Sequence, residues 1–142
     1  MEESKLLQQL PIGARFQAQV VSGSMRPLLK VNDSVEVKRL TINQIRIGDI
    51  VCLKLNEHQE LIIHRVVGRE SIKGKIKLYT QGDAVQDQDY WTVTQSLLIG
   101  LVIAKDKQNS NLLLSCPLFF ICLQRLVLRF RRLRTFCYQL FF

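Results

Sequence analysis

Three stretches of this 142-residue chain join reactive side chains to backbone that turns sharply. In Val20-Val21-Ser22-Gly23-Ser24-Met25-Arg26-Pro27 a strand-like run ends at a glycine, and a serine follows on a turn stiffened by a proline three residues later. A hydroxyl held on such a turn exposes its oxygen, and the adjacent backbone N–H groups are available to an oxyanion. The second stretch is Leu61-Ile62-Ile63-His64-Arg65-Val66-Val67. Alternation puts His64 on the face of Ile62 and Val66, where an imidazole shielded from bulk water can accept a hydroxyl proton near neutral pH. The third, Thr80-Gln81-Gly82-Asp83-Ala84-Val85-Gln86-Asp87-Gln88-Asp89, is a strand end running into an acidic loop. It lacks the alternating ligands and terminal glutamate of a calcium loop.

Taken singly, each stretch has an ordinary reading: a turn between strands, a core histidine, a solvated loop. Together they supply a hydroxyl, a base for its proton and a carboxylate to orient the base, which are the parts of an activated nucleophile. The residues alone leave open which of Asp83, Asp87 and Asp89 plays the third part.

These groups need a scaffold, and residues 15–104 read as one. Phe16-Gln17-Ala18-Gln19-Val20 and Ser34-Val35-Glu36-Val37-Lys38 alternate with period two, and further β-branched runs begin near Asp49, Leu61, Lys75 and Leu97. Short runs joined by Asn-Asp, Gly-Asp and Asn-Glu turns predict a mainly β, antiparallel body, barrel- or sandwich-like. Residues 1–14 read as an N-terminal extension and 105–111 as a polar linker. A composition of 47% hydrophobic and 23% charged residues is that of one globular domain, neither disordered nor collagen-like.

Residues 112–142 differ from the rest. Residues 105–142 hold +6 of the chain's net charge of +8, which leaves residues 1–104 close to neutral at +2. An apolar run, 112–123, precedes a helix-period stripe of Leu123, Leu126, Val127, Phe130, Leu133, Cys137 and Leu140, with Arg125, Arg129 and Arg132 opposite. Arg125 cuts the apolar run too short to span a bilayer, so a helical tail lying in a membrane interface is expected, with docking on the β body or a partner as the alternative. So apolar a segment is a poor match to a phosphate backbone, and no nucleic-acid partner is expected.

Cys52, Cys116, Cys122 and Cys137 form no CxxC pair, and the three tail cysteines lie far in sequence from His58 and His64, so reduced thiols and no metal are expected. The first ten residues lack the basic start, apolar stretch and cleavage site of a secretion signal. That predicts a body in the cytoplasm or on the cytoplasmic side of a membrane.

Five segments, in order, resemble the signal peptidase I family of serine endopeptidases, and more narrowly its endoplasmic-reticulum and archaeal branch, which uses histidine where the main bacterial branch uses lysine. They are Ser22-Gly23-Ser24-Met25-Arg26-Pro27, Arg46-Ile47-Gly48-Asp49-Ile50-Val51, Ile63-His64-Arg65-Val66-Val67, Thr80-Gln81-Gly82-Asp83 with Asp89, and Ile99-Gly100-Leu101-Val102. The resemblance implies a cofactor-free peptidase that cleaves a signal or leader-like segment of a precursor. It implies Ser24 as nucleophile, His64 as general base, Asp89 as the acid completing the triad and Asp83 as a second, supporting acid. It also implies an oxyanion site at the Ser24 N–H with the Ser22 hydroxyl.

Two departures stand out. Members of the family normally have a spanning helix before the serine, whereas about twenty residues precede Ser24 here, and Ala84 and Val85 replace the asparagines that typically follow the Gly-Asp pair. The alternative expectation is a non-enzymatic or self-cleaving regulatory module of the same fold, acting through its tail. Self-cleaving repressors share the β architecture but use a lysine base, and no helix-turn-helix pattern is read in residues 1–14.

Overall fold

The computed structural model describes residues 3–55 and 61–105. Each alternating run forms a strand: β1 (Arg15–Gln19), β2 (Ser34–Lys38), β3 (Ile50–Lys54), β4 (Leu61–Ile72), β5 (Lys75–Gln81) and β6 (Leu98–Lys105). A short helix, α1 (Glu3–Gln9), precedes them. All pairings are antiparallel, in the order β1-β2-β6-β3-β4-β5. The β4–β5 hairpin turns through Lys73 and Gly74, both at positive φ (49° and 76°), as a two-residue primed turn requires.

The mainly β, antiparallel body is as expected, but the sheet does not close into a barrel. The free side of β5 is occupied by the segment that follows it. Leu78 bridges Val93 through two backbone hydrogen bonds, of 3.0 and 2.9 Å, and the Asp89 N–H donates to Thr80 O at 2.9 Å. β1 therefore remains a separate edge.

All five residues of β3 are buried, and alternate ones enter different cores. Ile50 and Cys52 join Val35, Val37, Ile63, Ile99 and Val102, while Val51 and Leu53 join Val66, Leu78, Val93 and Leu98. The period-two pleat thus gives the sheet an apolar layer on each face. The Cys52 thiol is free and wholly buried, which pushes its pKa up to about 12 and makes it inert.

One boundary differs from the sequence reading. Lys105 is the last residue of β6 and not the first of a linker; its ammonium group lies 2.7 Å from the Asp33 carboxylate. The N-terminal extension is docked on the body: Leu7 packs on the first core and Gln8 donates to Ser96 O at 2.7 Å. Arg39 accounts for that docking, since its buried guanidinium donates to Leu98 O (3.0 Å), Ile99 O (2.9 Å) and Gln8 O (2.8 Å). Among the described residues no helix is long and apolar enough to cross a membrane. The amphipathic tail and the rest of the linker lie outside the described residues.

Candidate active site

Ser24 sits on an excursion from the β1–β2 hairpin. Just past the Gln19–Ser34 pair, the Val20 N–H donates to Asp33 O and the Asn32 N–H to Val20 O, each at 2.8 Å, which pinches residues 21–31 into a loop. Asn32 turns the chain at φ 73°, in the left-handed region that Asn tolerates. Met25 and Leu29 sink into the first core and anchor the loop's middle. Asp33 closes its base, accepting from the Lys30 N–H at 2.6 Å and facing the Lys105 ammonium. Burial pushes the Asp33 carboxyl up, but the Lys105 hydrogen bond and the Lys30 N–H outweigh this and hold it below its ordinary value.

His64 projects from β4 opposite Val51, on the face of the second core. Paired strand residues share a face, so Thr80, which pairs with Val66, projects beside His64 from the diagonal position. The Asp89 N–H bond to Thr80 O brings the acidic loop to the same place. A continuous relay results. His64 Nδ1–H donates to Asp89 Oδ2 at 2.7 Å, which fixes the tautomer and leaves Nε2 bare toward Ser24 Oγ at 3.1 Å. Thr80 Oγ1–H also donates to Asp89 Oδ2, at 2.6 Å, and Trp91 Nε1–H donates to Thr80 Oγ1 at 3.2 Å. The indole of Trp91 stacks on the imidazole with ring centres 6.0 Å apart and planes inclined by 22°.

Asp83 belongs to a different network. It does not touch His64; both its oxygens accept from Arg65, from Nε at 2.8 Å and Nη2 at 2.7 Å, and the pair is almost fully buried. Arg65 Nη1 also donates to Gly48 O at 2.8 Å. This fork pins the turn after β5, and the turn presses on the nucleophile. The Ala84 N–H donates to Ser24 O at 2.8 Å, and a Cβ on Gly82 would lie 2.8 Å from Ser24 O and 3.0 Å from Ser24 Cβ. Asp83 thus supports the site by holding backbone, not by sharing a charge with the imidazole. Asp87 is exposed on the same loop.

The arrangement has what acyl transfer needs. A bare imidazole nitrogen faces a hydroxyl, and a carboxylate faces the opposite ring nitrogen to balance an imidazolium. The Ser22 hydroxyl lies 3.1 Å from Ser24 Oγ, and the loop's own backbone bonds use the N–H groups of Arg26 and Leu29 and not that of Ser24. Among the described residues no three His, Cys, Asp or Glu side chains gather as a metal site requires. The chain matches no protein-family model.

Sequence reasoning picked out Ser24, His64 and Asp89 and missed Thr80, Trp91 and Arg65 as parts of the assembly. Thr80 and Arg65 stood inside the quoted segments, but their roles depend on the β4–β5 register. Trp91 carried one usable signal: it is the chain's single tryptophan, two residues from a candidate acid.

Proposed function

We propose that this chain is a serine endopeptidase of the signal peptidase I kind, in the histidine-base branch, cutting a signal or leader-like peptide from a precursor polypeptide. The supporting observation is the relay of hydrogen bonds from Ser24 Oγ to His64 (3.1 Å) and from His64 to Asp89 (2.7 Å). Ser24 Oγ attacks the scissile carbonyl carbon as its proton passes to His64 Nε2. Asp89 holds the imidazolium, and the Ser24 N–H and Ser22 hydroxyl steady the oxyanion. His64 then protonates the departing amine, leaving an ester on Ser24. A water molecule, deprotonated by His64, attacks the ester; the C–O bond to Ser24 breaks as His64 returns the proton to Ser24 Oγ, and the carboxyl product is released. The proposed setting is the cytoplasmic side of a membrane, with residues 112–142 meeting its surface.

The test is mass spectrometry of candidate precursor peptides incubated with the parent and with Ser24→Ala. A single new amide cleavage is expected from the parent, with the variant slower by about 10⁴-fold or more. Equal cleavage by both proteins would remove the reading.

A further inference from the structure

We propose that Trp91 is a positioning residue for His64, acting both through its ring face and through its N–H; this rests on the peptidase reading above. Leu78 pairs with Val93, so Trp91 runs alongside Thr80, and both meet the face that carries His64. From there the indole makes two separate contacts with the relay. Its ring is stacked with the imidazole, centres 6.0 Å apart, and its N–H fixes the Thr80 hydroxyl at 3.2 Å so that the hydroxyl proton is spent on Asp89 Oδ2. Tyr90, itself 84% exposed, packs edge-on against the indole with ring centres 4.9 Å apart.

Each contact matters at a different moment. Before reaction, the stack restrains the imidazole plane and the Thr80 bond restrains Asp89, so the neutral tautomer stays aimed at Ser24. During reaction the imidazole becomes a cation, and an aromatic face at about 6 Å attracts a cation. Among the described residues the ionisable side chain touching the imidazole is Asp89; Arg65, at the next position of β4, pairs with Asp83 of the turn after β5, and the Tyr90 ring contacts the indole. The indole face is therefore the neutral wall of the charge-bearing site.

The two contributions separate by substitution. Trp91→Phe keeps a ring face and loses the donor; Trp91→Leu loses both. Expected are a kcat loss of about threefold for Trp91→Phe, with the acid limb of the pH–rate profile in place. For Trp91→Leu the expected kcat loss is about 10- to 30-fold with KM nearly unchanged. Its acid limb should move to lower pH, because an imidazolium without the indole gives up its proton more readily. A second reading needs no turnover. Trp91 is the chain's single tryptophan, so its emission should step with pH as the stacked imidazole charges, and the step should vanish in His64→Gln.

Parental kcat and pH profile in Trp91→Leu, or an emission step that survives His64→Gln, would overturn the role of Trp91 while Ser24-dependent cleavage still upheld the peptidase. Cleavage that does not depend on Ser24 would overturn the peptidase reading and this role with it.

Discussion

The backbone of Ala84 holds the backbone of Ser24: the Ala84 N–H donates to the Ser24 carbonyl at 2.8 Å. The turn after β5 and the loop after β1 are 60 residues apart in sequence and meet at the nucleophile itself. The placement of Ser24 therefore depends on residues that carry no chemistry, and several expectations follow.

Gly82→Ala should impair the site without unfolding the protein. The added methyl would lie 2.8 Å from Ser24 O and 3.0 Å from Ser24 Cβ, so one of the two loops must move. A misplacement of about 1 Å at a reacting atom can cost about 100-fold, so for this smaller shift a kcat loss of about 10-fold is expected with the melting temperature nearly preserved. Parallel kinetics and thermal melts measure it; parental kcat would contradict the close approach.

Asp83→Asn and Asp89→Asn should fail in different ways. Asp83 and Arg65 are about 4% and 3% exposed, and breaking a buried pair by removing one partner costs about 3–5 kcal/mol. Asp83→Asn should thus lower the melting point, while peptidase activity below that temperature keeps its parental pH profile. Asp89→Asn keeps the fold, and a drop in kcat of about 10⁴ is expected because the imidazole loses its orienting partner. Melts and pH–rate profiles on the two proteins distinguish them.

Arg39 should be irreplaceable by another cation. Its fork serves three carbonyls on α1 and β6, and Arg39→Met leaves all three without it, at a cost of about 3 kcal/mol. Lysine has no planar fork, so Arg39→Lys should recover little. Limited proteolysis should cut before residue 10 sooner in both variants than in the parent.

Acid should loosen the nucleophile loop through Asp33. Its carboxyl titrates below the ordinary 3.8 in the folded chain, so its contribution to stability is full above that value and is lost as the pH falls below it. Asp49 has the opposite sign, because burial raises its carboxyl, so a melt of the parent alone mixes the two. The difference in melting temperature between parent and Asp33→Asn isolates the first. It should be constant near neutrality and shrink toward zero on acidification below pH 4; a difference that grew would reverse the assignment.

The strands were legible in the sequence because alternation is a local property; Phe16 to Val20 and Ser34 to Lys38 state their pleat within five residues. Closure was not legible, since it depends on what lies against the outer side of β5, a pairing beyond the acidic loop that no local pattern announces. α1 was missed because its seven residues are too few for a helical period to be distinct, and Arg39, which docks it, reads in sequence as a surface cation at a strand end. At the site, the meeting of Ser24, His64 and Asp89 was expected from resemblance, while composition and spacing left Asp83 equally eligible. The β4–β5 register divides the two acids: it sets Thr80 beside His64 to hold Asp89, and turns Arg65 to the other side to take Asp83.

β3 has no outward-facing side. Both apolar layers rest on four consecutive residues of this strand, Ile50 to Leu53, so neither layer can dissolve while the other persists, and thermal denaturation should be a single transition. The amide protons of Ile50–Lys54 should exchange with solvent deuterium only when the whole molecule opens, more slowly than those of the strands at either margin.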